Sequence, residues 1–382
     1  MRSLRQAVLV SVLAIVLGAV ACAPAAAPSP TAAPAKPPVA ATAISPAKGA
    51  EKQPEKPAAK PAARPPLSPT VKVRYGTVLA PGDAPVFVAL DKGYFKEEGI
   101  DLDMITFDSA ARMIPALSAG QMDVGGGGIT VSMFNAFARG VDIRVVGQRG
   151  KNSDGHESDS FAIRPDLVDR VKDFKDLKGL KVALPARGNP SHSELGKALA
   201  KGGLSSKDVD IVEMAWPAMI TALANKAIDV ATFTEPYSTQ AVALGVAVIW
   251  KRVHPDISPN HQSGIVMYAP QFGQSQPEAA KRFMVAFIRG VRAVSDAMDK
   301  NIGKDEILKI LIERTTLKDP VLWQTIRLSG FDRNSYVGTQ QMIDDQNYYV
   351  EEGLIKPNEK ADIGKLVDNS YVEYALGILG KQ

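Results

Sequence analysis

The sequence predicts an α/β protein of two similar α/β lobes with a ligand cleft between them, joined by a two-segment hinge and carrying extra C-terminal helices. Three observations predict this class. First, Met113-Ile114-Pro115-Ala116-Leu117, running on to Met122-Asp123-Val124, returns 106 positions later as Met219-Ile220-Thr221-Ala222-Leu223, running on to Ile228-Asp229-Val230. Both copies fit one pattern without a gap, as two lobes built to one plan would. Second, strand and helix patterns alternate in the same order twice, which favours a mainly parallel sheet in each lobe. Third, composition changes sharply near Val71, leaving 312 residues, enough for two lobes.

The chain opens with Arg2 and Arg5 and an apolar run from Ala7 to Ala21. That run is short for a membrane span, and a positive start before a short apolar core describes a secretory signal over residues 1–21. Cys22 follows, the single cysteine of the chain. Residues 22–70 read as a tether: mostly Ala, Pro and Lys, with too little apolar surface to offset the entropy of ordering. Its six Lys/Arg against two Glu, with the two arginines of the signal, carry the basic balance. The folded part has 37 basic and 39 acidic side chains, which argues against a nucleic-acid partner. It has no cysteine, so a hydrophobic core and not disulfides must hold it.

In the first lobe, Val71 to Gly76 alternates as a strand and Val86 to Glu98 has helical periodicity, stopped by Gly99. Ile100 to Phe107 is a second strand. Asp108-Ser109 then offers an N-cap for the helix of Met113 and Leu117, and Met122-Asp123-Val124 enters a strand running into Gly125–Gly128. The second lobe repeats the order: a strand at Lys181–Leu184, a loop from Arg187 to Ser191, and a helix to Lys201. A strand at Val209–Met214, the Ala215-Trp216-Pro217 loop, the helix of Met219 and a strand at Val230–Thr234 follow. Beyond Tyr268 the pattern is helical, with a long amphipathic helix over Pro277–Asp299 and shorter ones near Glu306–Arg314, Gln340–Glu352 and Tyr371–Leu379. Crossings near Phe161 and Gly264 give a first lobe of 71–160 plus 265–382 and a second of 161–264.

Ligands of open α/β sheets sit beyond the carboxyl ends of the strands, where helix N-termini offer free N–H groups. The loops there carry Asp83, Phe107, Asp108, Ser109, Gly128, Thr130, Arg187, Asn189, His192, Trp216, Glu235 and Tyr237, which are the candidate ligand-binding residues. Asp108 has two readings, helix cap or ligand contact, and Glu235-Pro236-Tyr237 has two, turn-former or contact. The glycine run lacks the lysine of a phosphate loop, so close backbone approach is its expected reason. His156, His192, His254 and His261 show no metal-ligand spacing, so no metal and no cofactor are expected.

Ala84 through Ile100, containing Asp91-Lys92-Gly93-Tyr94-Phe95, resembles the opening of the periplasmic-type solute-binding proteins that serve ABC importers. The branch it is most similar to handles thiamine-precursor pyrimidines, sulfonates and nitrate. Ala116–Val124, Asp176–Val182 and Glu235-Pro236-Tyr237 carry the same resemblance. It implies a type 2 periplasmic-binding-protein fold, a non-catalytic role, permease and ATPase partners, and a monomer. A fungal relative with cysteine-dependent chemistry has no counterpart here, since Cys22 is the single cysteine. Ala19-Val20-Ala21-Cys22 likewise resembles a bacterial lipobox, implying acylation of Cys22 and anchoring at the extracytoplasmic face of the cell membrane; an ordinary signal with an incidental cysteine is the alternative. Asp83, Asp108 and Glu235 sharing one cleft would repel a small anion. With Trp216 and Tyr237 as stacking walls, that favours a neutral or weakly basic ring, such as a pyrimidine or a riboflavin-like vitamin, over alkanesulfonate, taurine or nitrate. An enzyme on the same fold is the alternative of a different class.

Overall fold

The computed structural model describes residues Arg64–Gln382. The signal segment, Cys22 and most of the tether lie outside the described residues. Packed structure begins ahead of Val71: Arg64 pairs with Glu98 at 2.9 Å, and the Leu67 amide donates to the Glu98 carbonyl.

The chain enters through β1 (Val71–Thr77), α1 (Ala84–Asp91), α2 (Tyr94–Glu97), β2 (Ile100–Thr106), α3 (Ala110–Ser118), β3 (Val124–Gly128), α4 (Val131–Ala138) and β4 (Arg144–Lys151). It crosses to β5 (Asp159–Ile163), β6 (Lys181–Leu184), α5 (Pro190–Lys201), β7 (Asp210–Glu213), α6 (Trp216–Ala224), β8 (Val230–Thr234), α7 (Tyr237–Ala243) and β9 (Val248–Arg252). It returns through β10 (Gln262–Tyr268), α8 (Pro270–Ser275), α9 (Pro277–Lys300), α10 (Lys304–Arg314), α11 (Pro320–Trp323), α12 (Thr339–Glu351), α13 (Ile363–Leu366) and α14 (Ser370–Leu379).

Both sheets have one plan. The first runs β2-β1-β3-β10-β4 and the second β7-β6-β8-β5-β9. In each, the strand that follows the repeated helix lies beside the first parallel strand: β3 on β1, and β8 on β6. The repeat therefore occupies equivalent places, and Met113 and Met219 are both fully buried. The sheets are mixed rather than mainly parallel. β10 and β5 each follow a crossing, enter from the opposite end, and pair antiparallel on both sides.

Local sequence explains the other departures. The helix expected over Val86–Glu98 is two helices, α1 and α2, because Gly93 takes a left-handed φ of 74° between them. Ser109, not Asp108, is the N-cap of α3, and Asp108 is exposed. The predicted Ala215-Trp216-Pro217 loop is shorter, since Trp216 already opens α6 with Pro217 behind it.

The long helix α9 lays Phe283, Phe287 and Val291 into the first core, where Phe283 meets Phe95 at 5.1 Å and Tyr75 at 6.1 Å between ring centroids. Leu195 and Leu199 of α5 cover one face of the second sheet with Val182 and Val230. Met219, Leu223 and Tyr237 cover the other.

The glycine run of β3 is a close-approach device. A Cβ on Gly126 would overlap the Tyr75 hydroxyl, and one on Gly128 would lie 2.8 Å from Pro190 Cδ at the start of α5. Gly126→Ala is expected to cost about 1–3 kcal/mol of stability, since the buried Tyr75 ring has nowhere to move. Chemical denaturation measures this, and an unchanged midpoint would mean the strand gives way instead.

Candidate functional site

Between the sheets lies a cavity of about 630 Å³, including its open mouth. The carboxyl ends of parallel strands from both sheets converge there. From the first come Gly82 after β1, Ser109 and Ala110 after β2, and Gly128 closing β3. From the second come Asn189 and Pro190 after β6, and Trp216 after β7. The antiparallel partners add Ser263 at the start of β10, Asp159 at the start of β5, and Arg149 near the end of β4.

Three helices, α3, α5 and α6, begin at this wall with Ala110, Pro190 and Trp216. The Asn189 side chain caps α5, accepting from the His192 amide at 3.1 Å. Ser109 caps α3 through its backbone alone. The first turn of α3 thus begins at the cavity wall without a capping side chain, which suits an acceptor atom.

The charged groups are arranged in pairs. Arg149, 3% exposed, lies with its Nη1 2.7 Å from Asp83 Oδ1. Asp83 is fully buried and also accepts from the Tyr75 hydroxyl at 2.9 Å and the Ala80 amide at 3.1 Å. The enclosed Arg149 Nε and Nη1 have no hydrogen-bond partner among the described residues, so Nη1 meets Asp83 as an ion pair only. Glu194, in the second turn of α5, accepts from His261 Nδ1 at 2.8 Å. His261 Nε2 lies 3.5 Å from Asp345 of α12, which also pairs with Lys197 at 3.2 Å. Burial alone would lower the His261 pKa, but Asp345 and Glu194 outweigh it and lift the group to about 9. Burial would likewise raise the Asp345 carboxyl; the charge and hydrogen bond of His261, with Lys197, hold it below its ordinary value.

His261 therefore carries its proton in the folded state well above the usual histidine range. Its contribution to stability is complete below about pH 6.5, the unfolded value, and is lost as pH rises through about 9. The stability difference between the wild type and His261→Gln is expected to be largest near neutrality and to narrow toward pH 9.5. Denaturant titrations at a series of pH values read it, and a constant difference would show that His261 does not titrate in this range.

Asp159 differs. Its Oδ2 accepts from Asn152 Nδ2 at 2.6 Å, and no cation forms an ion pair with it among the described residues. Burial, with the charge of Glu194 added, pushes its pKa up to about 6, against the hydrogen bonds of Thr234 and Asn152 and the charge of His261.

Trp216 supplies the aromatic wall. Its indole N–H donates to the Thr232 carbonyl at 3.2 Å, and Tyr237 stacks behind it at 5.7 Å and 22° between planes. The fixed ring is half-buried and lines the cavity.

Of the residues expected from sequence, Ser109, Gly128, Asn189 and Trp216 line the cavity. The others do not. Asp83 lies behind Arg149, and Tyr237 behind Trp216. Phe107 packs against the first core, and Thr130 is fully buried, capping α4 through the Met133 amide. Arg187 is on the surface facing Glu213 at 3.5 Å. His192 is buried edge-on to Tyr348, with Nδ1 accepting from the Gly188 amide, and burial lowers its pKa to about 4. Glu235 turns back to the Thr239 hydroxyl at 3.0 Å and borders a separate apolar cavity with Pro236 and Phe87. The three carboxylates expected in one cleft are therefore not together, because Asp83 is neutralised by Arg149, Asp108 faces solvent and Glu235 serves its own turn.

The residues that sequence missed are Arg149, Asp159 and Glu194. An arginine in the strand-like stretch Val145–Gly150 and an aspartate opening Asp159–Ile163 were the available signals. No group of three or more His, Cys, Asp or Glu side chains is placed to hold a metal among the described residues.

The family described as NMT1/THI5 like matches residues 80–298, more than half of the chain. A Brucella abortus protein provisionally named a binding protein is 29% identical over 173 residues, 44% of this chain and 50% of the relative. The chain thus spans about half the length of the curated relatives it matches. Among solved structures, the periplasmic nitrate-binding protein NrtA from Synechocystis PCC 6803 superposes with a TM-score of 0.69 at 17% identity, covering 82% of this chain and 90% of that one. The alkanesulfonate-binding protein SsuA from Xanthomonas axonopodis, bound to MOPS, gives 0.63 at 16%, covering 78% and 98%. The desulfurization enzyme DSZB has the same fold, with a TM-score of 0.58 at 12% identity over 80% and 99%.

Proposed function

The chain belongs to the NMT1/THI5-like family, and on that premise we propose that it is the extracytoplasmic solute-binding protein of an ABC importer. It captures a small organic solute between its lobes and passes it to a permease. The observation that carries this reading is the convergence of strand carboxyl ends and helix N-termini from both sheets on one cavity, with fixed binding groups and an aromatic wall. The lobes, one built on the sheet of β1 to β4 with β10 and the other on the sheet of β5 to β9, close on the solute by movement at the two crossings between Lys151 and Asp159 and between Arg252 and Gln262. Cys22, acylated, anchors the protein to the membrane.

The solute in this reading presents a flat ring to Trp216, as a heteroaromatic vitamin or its pyrimidine precursor does. An alkanesulfonate or nitrate is the second reading, favoured by the unpartnered Arg149 Nε and the uncapped start of α3. Among the described residues no charge-relay triad meets in the cavity: its ionisable lining groups are Arg149, Asp159 and Glu194. That favours binding over catalysis.

A thermal-shift panel of pyrimidines, flavins, sulfonates and nitrate on the full chain tests the reading. A solute that binds only the native state raises the midpoint. Shifts by sulfonates or nitrate alone would replace the ring with the anion, and no shift by any small solute would remove the binding role.

A further inference from the structure

Resting on that reading, we infer that the solute is amphoteric, with a protonated nitrogen that docks on Asp159 and an acceptor or anionic group that docks on Arg149. Three ionisable side chains line the cavity. Two of them are already balanced by protein. Arg149 faces Asp83, and Glu194 faces His261, which is shared with Asp345 and so with Lys197. Counted as charges, each of these sets sums to zero.

Asp159 is left over. It has an amide and a hydroxyl for company and forms no ion pair among the described residues; the nearby charges are Glu194 and the His261 that Glu194 and Asp345 already share, so this acidic cluster keeps one negative charge in excess. A carboxylate kept in a partly desolvated site without a counter-charge is unfavourable until something supplies one. A protonated nitrogen of the solute does so, through a charge-assisted hydrogen bond. Burial holds the Asp159 proton more tightly than usual, as expected for a group that awaits its cation.

The other end of the cavity has the opposite need. Arg149 is almost wholly buried, and its enclosed Nε is unpartnered among the described residues. Asp83 neutralises its charge without using that donor. The uncapped first turn of α3 offers further donors on the same wall. An acceptor group on the solute satisfies both. Arg149 and Ser109 belong to the first lobe and Asp159 to the second, so one molecule with both groups bridges the cavity. Either group alone leaves half of the site unmatched.

Three probes that share one ring separate these contributions: para-aminomethylbenzoate carries both groups, para-toluate the acid alone, and para-methylbenzylamine the amine alone. Titration calorimetry on the full chain is expected to rank para-aminomethylbenzoate first, by about tenfold or more over either relative. Asp159→Asn is expected to erase its advantage over para-toluate while para-toluate binding persists, which also reports that the variant is folded. If that variant does not fold, the ranking on the wild type decides alone. Para-toluate binding as tightly as para-aminomethylbenzoate would overturn the amphoteric inference and leave the solute-binding reading standing. If none of the three binds, the panel of small solutes decides. A hit with a protonated nitrogen that weakens in Asp159→Asn supports the inference, and a hit without one overturns it. No hit at all removes the binding reading itself.

Discussion

Asp83→Ala is expected to cost the folded state about 3–5 kcal/mol, the effect of breaking a buried ion pair from one side. Asp83 is fully buried, forms an ion pair with Arg149 at 2.7 Å, and accepts from the Tyr75 hydroxyl at 2.9 Å and the Ala80 amide at 3.1 Å. Removal leaves the Arg149 guanidinium nearly enclosed without its counter-charge, and leaves the Tyr75 hydroxyl without its acceptor under Gly126. Asp83→Asn keeps the shape but not the charge, so it should be milder while still destabilising. Urea denaturation of both variants reads this directly. A loss below about 1 kcal/mol for Asp83→Ala would mean that Arg149 finds water or another partner in the cavity. Stability would be its main readout, because Asp83 does not line the cavity.

Trp216→Ala is expected to do the reverse, weakening solute binding far more than it weakens the fold. A rigid, half-desolvated tryptophan is the usual kind of residue to carry about 2 kcal/mol or more of a binding free energy, which is thirtyfold or more in affinity. Here the indole is held by its bond to the Thr232 carbonyl and by the Tyr237 ring, so little ordering is left to be done on binding. Trp216→Phe should recover part of the affinity, since it keeps a ring without the indole donor. Calorimetry on whichever solute binds checks both variants. Equal affinities in wild type and Trp216→Ala would place the ring in the scaffold and not in the site.

The repeat around Met113 and Met219 made the two-lobe plan legible, because apolar periodicity and helix stops are local signals that fold the same way wherever they occur. The strand-end rule then found Ser109, Gly128, Asn189 and Trp216, all of which follow or close parallel strands. It could not find Arg149, on β4 beside the antiparallel β10, or Asp159, on β5, which is itself the antiparallel strand after the first crossing. Their place depends on where the chain changes lobes. Glu194 was invisible for another reason: on a helix that runs away from the cleft, only the phase of its first turns brings one carboxylate to the wall. The expected cluster of Asp83, Asp108 and Glu235 failed because a carboxylate at a strand end has competing uses. Asp83 took a partner 66 positions away, and Glu235 took the hydroxyl of its own turn. The close-approach reading of the glycine run named the right cause, but the groups that approach, Tyr75 and Pro190, come from other parts of the fold.

Gly128 gives the most direct access to the central claim that the solute is held between the lobes. It faces the cavity and touches Pro190 of the opposite lobe, so a large side chain there would occupy the cleft while leaving both cores intact. The decisive measurement is the thermal shift caused by the same solute in the wild-type full chain and in Gly128→Phe. The solute should raise the wild-type midpoint and leave the variant unmoved. An equal rise in both proteins would place the binding site elsewhere and contradict the account.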